Sequence, residues 1–318
     1  VKRKNGIIIR IIILIFLGLS FFVPFIIKNA FLLGILTIAN IYAVFSGSWD
    51  ILSGFTGKEN FGYAVFAGTG AYFVGIISQS FAIPWWIGVP VGGLLAMGIG
   101  ILVGFPTLRV KGPYFALVTL ALASVAQDSV SIFSKITGGE NGLAGIDFLS
   151  NSSITNYYIT LIFTIVSIFL LFEFGMSKNG LILKSLKVDE KAAEALGVNA
   201  VRYKLIAFEL SSLFAGMSGA LLAYYYGYIG PDLIFPLSLN VIIMAVFGGT
   251  GMIIPAALGG YTLMIFSQYA NSFLGSYNSL IYTGILLIII MLLPNGIFKS
   301  FYKFFALKEG RHSNGEHH

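Results

Sequence analysis

Residues 175–204 read GMSKNGLILKSLKVDEKAAEALGVNAVRYK, the longest strongly charged interval between two apolar runs of this chain. Lys178, Lys184, Lys187, Lys191, Arg202 and Lys204 make it basic. Inside it the spacing predicts a short helix with its own start and stop. Asp189 is placed to cap the N-terminus, Glu190 puts negative charge in the first turn, and Gly197 can take the left-handed conformation that ends many helices. The residues between them cover only about 10 Å of helix, too little to be stable alone in water. Val188, Ala192, Ala195 and Leu196 would line one face, with Glu190, Lys191 and Glu194 elsewhere. A small, smooth, capped helix of this kind reads as a docking element.

The apolar runs on either side belong to a lipid-soluble protein. The chain is 57% hydrophobic and 10% charged, with mean hydropathy +0.89, whereas a soluble domain is roughly 25% charged. A tract of about 20 apolar residues crosses a bilayer. Candidate spans fall at 7–27, 31–53, 61–83, 85–105, 112–133, 156–174, 205–227, 237–248, 252–270 and 279–296. The run 237–248 is too short to cross alone. With the Gly248–Gly251 break after it, it forms either a bent helix or a re-entrant pair with 252–270. The expected fold class is an all-α polytopic membrane protein with about 8–10 transmembrane helices. Residues 1–296 form a single transmembrane domain containing the loop 175–204, and 297–318 form a polar tail. The basic start followed by an apolar run resembles a signal peptide, but the run is long and no A-x-A-like site follows, so a retained first span is expected.

Charge placement gives the orientation. With the N-terminus cytosolic, only Lys28 and Lys135 of the 19 Lys and Arg residues fall on the outer side, the positive-inside pattern. Both termini and the loop 175–204 are then cytosolic. Trp85, Trp86, Tyr157, Tyr158 and Tyr224–Tyr226 land near the outer ends of spans, as an aromatic belt would. Small residues recur at helix-contact spacing in Gly88/Gly92, Gly100/Gly104 and Ser212/Gly216/Ala220. They serve packing within the subunit or an interface between subunits.

Several functions are excluded by what the sequence lacks. There is no cysteine, and His312, His317 and His318 all sit in the tail, so no metal site or imidazole catalyst is expected in the spans. Gly54-Phe-Thr-Gly57-Lys58-Glu59 lacks the spacing and the Ser/Thr of a phosphate-binding loop. Neither enzymatic activity nor a cofactor is expected, and the net charge of +6 is a membrane-topology signal rather than one for nucleic acid. Asp50, Glu59, Asp128, Glu173 and Glu209 lie in or near spans. They either serve a pathway or reach interfacial water, and Glu209 has Arg202 and Lys204 as candidate partners. Tyr72, Thr119 and Gln127 put polar groups among small and apolar neighbours in two spans, the mixture that an amphipathic amino acid needs. The loop 134–155 is external, with Gly138–Gly142 as a flexible polar turn, open to a partner or simply solvated.

Four segments, in order, carry a resemblance. Gly62–Tyr72 (GYAVFAGTGAY), Arg109–Leu120 (RVKGPYFALVTL), Thr137–Gly142 (TGGENG) and Lys187–Asn199 (KVDEKAAEALGVN) with the following helix are similar to motifs of the branched-chain amino acid permease family of ABC importers. Within that family they most resemble the LivM-type subunits. Two departures stand out. Gly57–Tyr63 (GKENFGY) replaces a GQLSLGH-like sequence, and the EAA-x-x-x-G pattern is met by Ala192, Ala193 and Gly197, with its acid displaced to Glu190.

The resemblance implies an ABC importer permease fold in a bacterial cytoplasmic (inner) membrane. It implies cytosolic ATPase subunits as partners, with a second, LivH-like permease and an extracytoplasmic substrate-binding protein. Asp189, Glu190, Ala192, Ala193, Glu194 and Gly197 would form the helix that couples to the ATPase. Branched-chain amino acids would be the substrate, with urea or short amides as the same-family alternative. An ion-coupled secondary transporter using Asp128 or Glu209 is the alternative from another class.

Overall fold

The structure, a computed structural model, describes residues 20–110, 112–274 and 296–300 of the chain. Residues 20–26 are helical. Ten helices of six residues or more follow among the described residues: α1 Ala30–Thr56, α2 Tyr63–Ser78, α3 Trp85–Thr107, α4 Tyr114–Ile132, α5 Ser153–Met176, α6 Lys178–Val188, α7 Glu190–Ala195, α8 Ala200–Tyr226, α9 Pro231–Gly248 and α10 Ile253–Leu274. Among the described residues the β-structure is one antiparallel pair, β1 Leu143–Ala144 and β2 Tyr228–Ile229, and five helices, α1, α3, α4, α5 and α8, are long and apolar enough to cross a membrane. The chain is an all-α polytopic membrane protein. The expected span 279–296 and most of 7–27 lie outside the described residues.

One expectation changes and another is met. The span expected over 61–83 is a shorter helix, α2, of 16 residues. The chain before it is irregular, and hydrogen bonds to neighbouring side chains tie its backbone in place. Trp49 Nε1 donates to Asn60 O at 2.8 Å, Asn60 N to Ser53 Oγ at 3.1 Å, and Gly62 N to Asn60 Oδ1 at 2.9 Å. Ser238 Oγ of α9 then accepts from Ala64 N at 2.7 Å, meeting one of the orphan donors of the α2 N-terminus. At the break the chain is bent, as expected of a bent helix or a re-entrant pair: α9 from Pro236 and α10 meet at 118°. Gly249 and Gly251, with φ of 121° and 82°, supply a backbone that L side chains rarely adopt.

The small residues are an internal seam. A Cβ on Gly88 would meet Tyr224, one on Gly92 would meet Ala220, and one on Gly100 would meet Ser212; Gly216 faces Ala96 and Gly104 faces Phe208. Each step of four residues forward on α3 is a step of four backward on α8, the register of two antiparallel helices in close contact. On its other flank α8 meets α2, where a Cβ on Gly70 would lie 2.0 Å from Gly216 O and one on Gly219 2.0 Å from Ala67 O. The seam is packing within one subunit. Without a hydrophobic force between helices in lipid, such contact surfaces carry the association.

Hydrogen bonds sort the loops into two ends. Lys58 Nζ donates to Val110 O at 2.7 Å, Lys187 Nζ to Gly54 O at 2.8 Å, and Lys299 Nζ to Thr250 O. The turns at 57–62, 108–110 and 249–252, the residues 296–300 and the helix α6 therefore share one end. At the other, Gln79 Nε2 donates to Ala144 O at 2.9 Å and Tyr224 Oη to Ile83 O at 2.8 Å. There Gly138, Gly139 and Gly142 all have positive φ. A Cβ on Gly138 would lie 1.9 Å from Gly142 O, and one on Gly142 2.3 Å from Ile229 O. The loop expected to be a flexible turn is a tightly folded one. Of the expected aromatic belt, Trp86 is exposed, but Tyr157 and Tyr224 are buried and tie helices together.

Candidate functional site

The first candidate is α7. Asp189 accepts from Ala192 N at 3.0 Å, as its N-cap role requires. At the other end Gly197 has φ 85°. Gly197 N donates to Glu194 O at 2.9 Å and Val198 N to Ala193 O at 3.2 Å, the pair of bonds that defines a Schellman motif. So short a helix is held by its surroundings. Ala193 packs with Leu186 and Ala200, and Lys204 of α8, its side chain 2% exposed, pairs with Glu190 at 2.6 Å. Lys204, expected as a partner for Glu209, thus anchors α7 instead. Ala193, expected among the docking residues, faces inward. Val188 and Leu196 are 88% and 87% exposed, and Ala192 and Ala195 are exposed beside them. The expected smooth face is therefore bare. Removing the partner of a buried cation costs about 3–5 kcal/mol, less here because Glu190 is 45% exposed.

Next to α7, α6 lies against the end of α1. Lys184 Nζ sits 4.4 Å from the centre of the Phe55 ring. Burial lowers the Lys184 ammonium below the usual lysine value; nearby Asp50 acts to raise it and Lys187 to lower it. Lys58, from the segment that departs from the family pattern, is also structural: its bond to Val110 O ties α2's entry to the α3–α4 turn.

The second candidate is a cleft of about 340 Å³ between α2 and α4, reached also by Ile99 of α3 and Pro231 of α9. Ala64, Val65, Gly68, Ala123, Ala126 and Val130 make its walls apolar, and Thr69, Tyr72, Gln127, Ser129 and Thr137 add a few polar groups. It is large enough for an amino acid. Tyr72 and Gln127, two of the three residues expected in a substrate pathway, line it. Thr119 does not. It is 1% exposed and accepts from Phe61 N at 3.1 Å, so it holds the segment before α2. Thr69, on the same face of α2 as Tyr72, and Ser129 of α4 also belong to the lining and were missed. Helical spacing from Tyr72 (Thr69, i−3) would have found the first.

A family model described as branched-chain amino acid transport system / permease component matches residues 31–293. The chain is 27% identical over 306 residues to the high-affinity branched-chain amino acid transport system permease protein LivM of Escherichia coli, covering 87% of this chain and 72% of that protein. The LivM of Salmonella typhimurium is similar to the same extent, 27% identical over 307 residues, with 87% and 72% covered. The corresponding LivH of Escherichia coli is 30% identical over 122 residues, 38% of this chain and 40% of that one. No solved structure matches. With spans, cleft and loop in the arrangement described, and the family model covering most of its length, the chain belongs to the family of permease components of branched-chain amino acid transport systems, and its LivM relatives extend over most of it.

Proposed function

We propose that this chain is the translocation subunit of an ATP-driven importer of branched-chain or related hydrophobic amino acids. It works with cytosolic ATPases, a second, LivH-like permease and an extracytoplasmic substrate-binding protein. The observation that carries the reading is α7: a doubly capped helix anchored on its inner side by Ala193 and the Lys204–Glu190 pair, with an outer face that nothing among the described residues covers. A groove in an ATPase is a fitting occupant. The helix is held between α6 and α8, so its displacement moves α6 and the start of the long apolar helix α8.

The second permease has a place as well. Only Phe115, Thr119 and Ala123 of α4 are buried, and Leu117, Ala121, Ser124, Asp128 and Ser131 form an exposed stripe along it. A stripe with hydroxyls and a carboxylate is poorly suited to lipid; a protein partner, or water shared with that partner, suits it. The cleft adjoins α4, so a second subunit there would complete its wall. The similarity of part of the chain to LivH fits a pore made from two related subunits.

Reconstitution of the chain with ATPases, second permease and binding protein tests the reading. ATP-dependent accumulation of leucine, isoleucine or valine in proteoliposomes is the expected result; uptake driven by an ion gradient without ATP would replace it with secondary transport. In that assay Tyr72→Phe and Gln127→Leu shift substrate preference by several-fold, the worth of about one hydrogen bond, or roughly 1 kcal/mol. Thr119→Val lowers thermal stability with preference unchanged.

Orientation has its own test, made simple by the absence of cysteine. The end of the bundle holding Lys58, Lys187 and Lys299 is placed in the cytosol. An impermeant maleimide added to intact cells labels Asn151→Cys and leaves Asn179→Cys unlabelled. The reverse pattern would invert the topology.

A further inference from the structure

Asp50 is a carboxylate that the translocation cleft does not use. It lies in α1, one turn before Gly54, and is fully buried. Its Oδ1 accepts from Gly251 N at 2.7 Å, in the break between α9 and α10. Among the described residues its Oδ2 has no hydrogen-bond partner. The charges that act on it are Lys187, Lys299 and Lys184. All three are held in place: Lys187 on Gly54 O, Lys299 on Thr250 O and Lys184 over Phe55. Three parts of the chain that are far apart in sequence therefore converge on one buried carboxyl group: the end of α1, the basic helix α6, and the break with the residues at 296–300. The fit is tight. A Cβ on Gly54 would fall 1.8 Å from Asp50 Oδ1 and 2.6 Å from Gly251 N.

A single backbone N–H is satisfied as well by an amide or a hydroxyl, and burying a full charge is expensive. A carboxyl group here answers to the lysines as well as to Gly251. One of them, Lys187, rides on α6, which is joined to α7 through Asp189 alone. The break, in turn, ends α9, whose other end, Pro231, lines the cleft.

We propose that Asp50 is a positioning residue that latches the α9–α10 break to α1 and, through Lys187, makes that latch responsive to movement of the α6–α7 loop. Displacing the loop withdraws Lys187 from Gly54, weakens the hold of α1 on Gly251, and lets α9 shift at the cleft. The link to ATP rests on the importer reading given above; the latch itself does not.

Two measurements separate them. The first uses the full chain in membranes with Thr250→Cys as its single cysteine, and follows alkylation by a small maleimide. Alkylation is slow with Asp50 and Lys187 present and about tenfold faster in Asp50→Ala and Lys187→Gln, with Asp50→Asn, which keeps an acceptor for Gly251, in between. Lys187 is exposed, so Lys187→Gln carries the test if Asp50→Ala fails to accumulate. The second uses the assembled importer: Asp50→Ala still hydrolyses ATP, but uptake per ATP falls about tenfold. Alkylation unchanged in both variants overturns the latch and leaves the importer reading intact. Faster alkylation in the variants, with a parent complex that shows no ATP-driven uptake, keeps the latch and overturns the importer reading.

Discussion

Ala192→Glu leaves the subunit in the membrane at near-normal abundance and removes most ATP-driven uptake. The side chain of Ala192 is exposed, between Val188 and Leu196 on the bare face of α7. Its contribution to the helix is its N–H, which Asp189 caps and which glutamate retains. Glutamate is a good helix former, and surface changes of this kind stay within about 0.5 kcal/mol of neutral for folding. Once a partner covers the face, an unpaired carboxylate is buried there, at a cost of about 2 kcal/mol or more, which is over tenfold in association. The readouts are membrane abundance, co-purification of the ATPases and uptake. Full uptake by Ala192→Glu would make the loop a mere connector. Ala193→Glu behaves differently, because that residue is packed on Leu186 and Ala200 and its loss damages the anchor itself. Gly197→Val gives a further contrast. Nothing lies within 4 Å of a Cβ there, yet φ is 85°, so the penalty is conformational alone. Gly197→Asn, which tolerates that backbone, restores function.

What could be read from the sequence divides by range. The cap at Asp189 and the stop at Gly197 were legible because capping is settled by residues three or four apart. The long spans were legible because their length answers to bilayer thickness: α3, expected over 85–105, runs Trp85–Thr107. The small-residue stripes were visible, but not that they face each other, because register between helices is a property of two segments at once. The same limit explains the misses. Thr119 looks like a polar group in a pathway until Phe61 N is found on its hydroxyl. Ala193 looks like its neighbour Ala192 until the turn of α7 puts it against Leu186 and Ala200. Lys204 pairs backward with Glu190 rather than with Glu209, because α7 folds back along the start of α8. Glycine in TGGENG signals flexibility locally, and only the contact of Gly142 with Ile229 O shows it spent on a tight fold.

The seam makes the second large prediction: Gly70→Val prevents accumulation of a folded subunit. A Cβ on Gly70 would sit 2.0 Å from Gly216 O, 2.6 Å from its carbonyl carbon and 2.8 Å from its Cα. All three atoms are backbone, so no side chain can swing aside. Gly216 cannot retreat either, since its own Cβ position lies 2.3 Å from Ala96 Cβ and 2.8 Å from Gly92 O on α3. Inserting volume therefore pushes α2 off α8, or α8 into α3. Overpacking a core costs about 1–3 kcal/mol when side chains can adjust, and more when backbone must move; helices in lipid have little else to hold them together. The loss shows as a lowered thermal-aggregation midpoint in detergent and reduced abundance. Gly98→Val is the control. It stands on α3, beside the same seam, but a Cβ there meets nothing within 4 Å. Replacing glycine in a helix with a side chain that has room lowers no contact and reduces the freedom of the unfolded chain. Gly98→Val keeps full abundance while Gly70→Val loses it. Equal tolerance of the two would mean that α2 and α8 do not meet at Gly70 and Gly216.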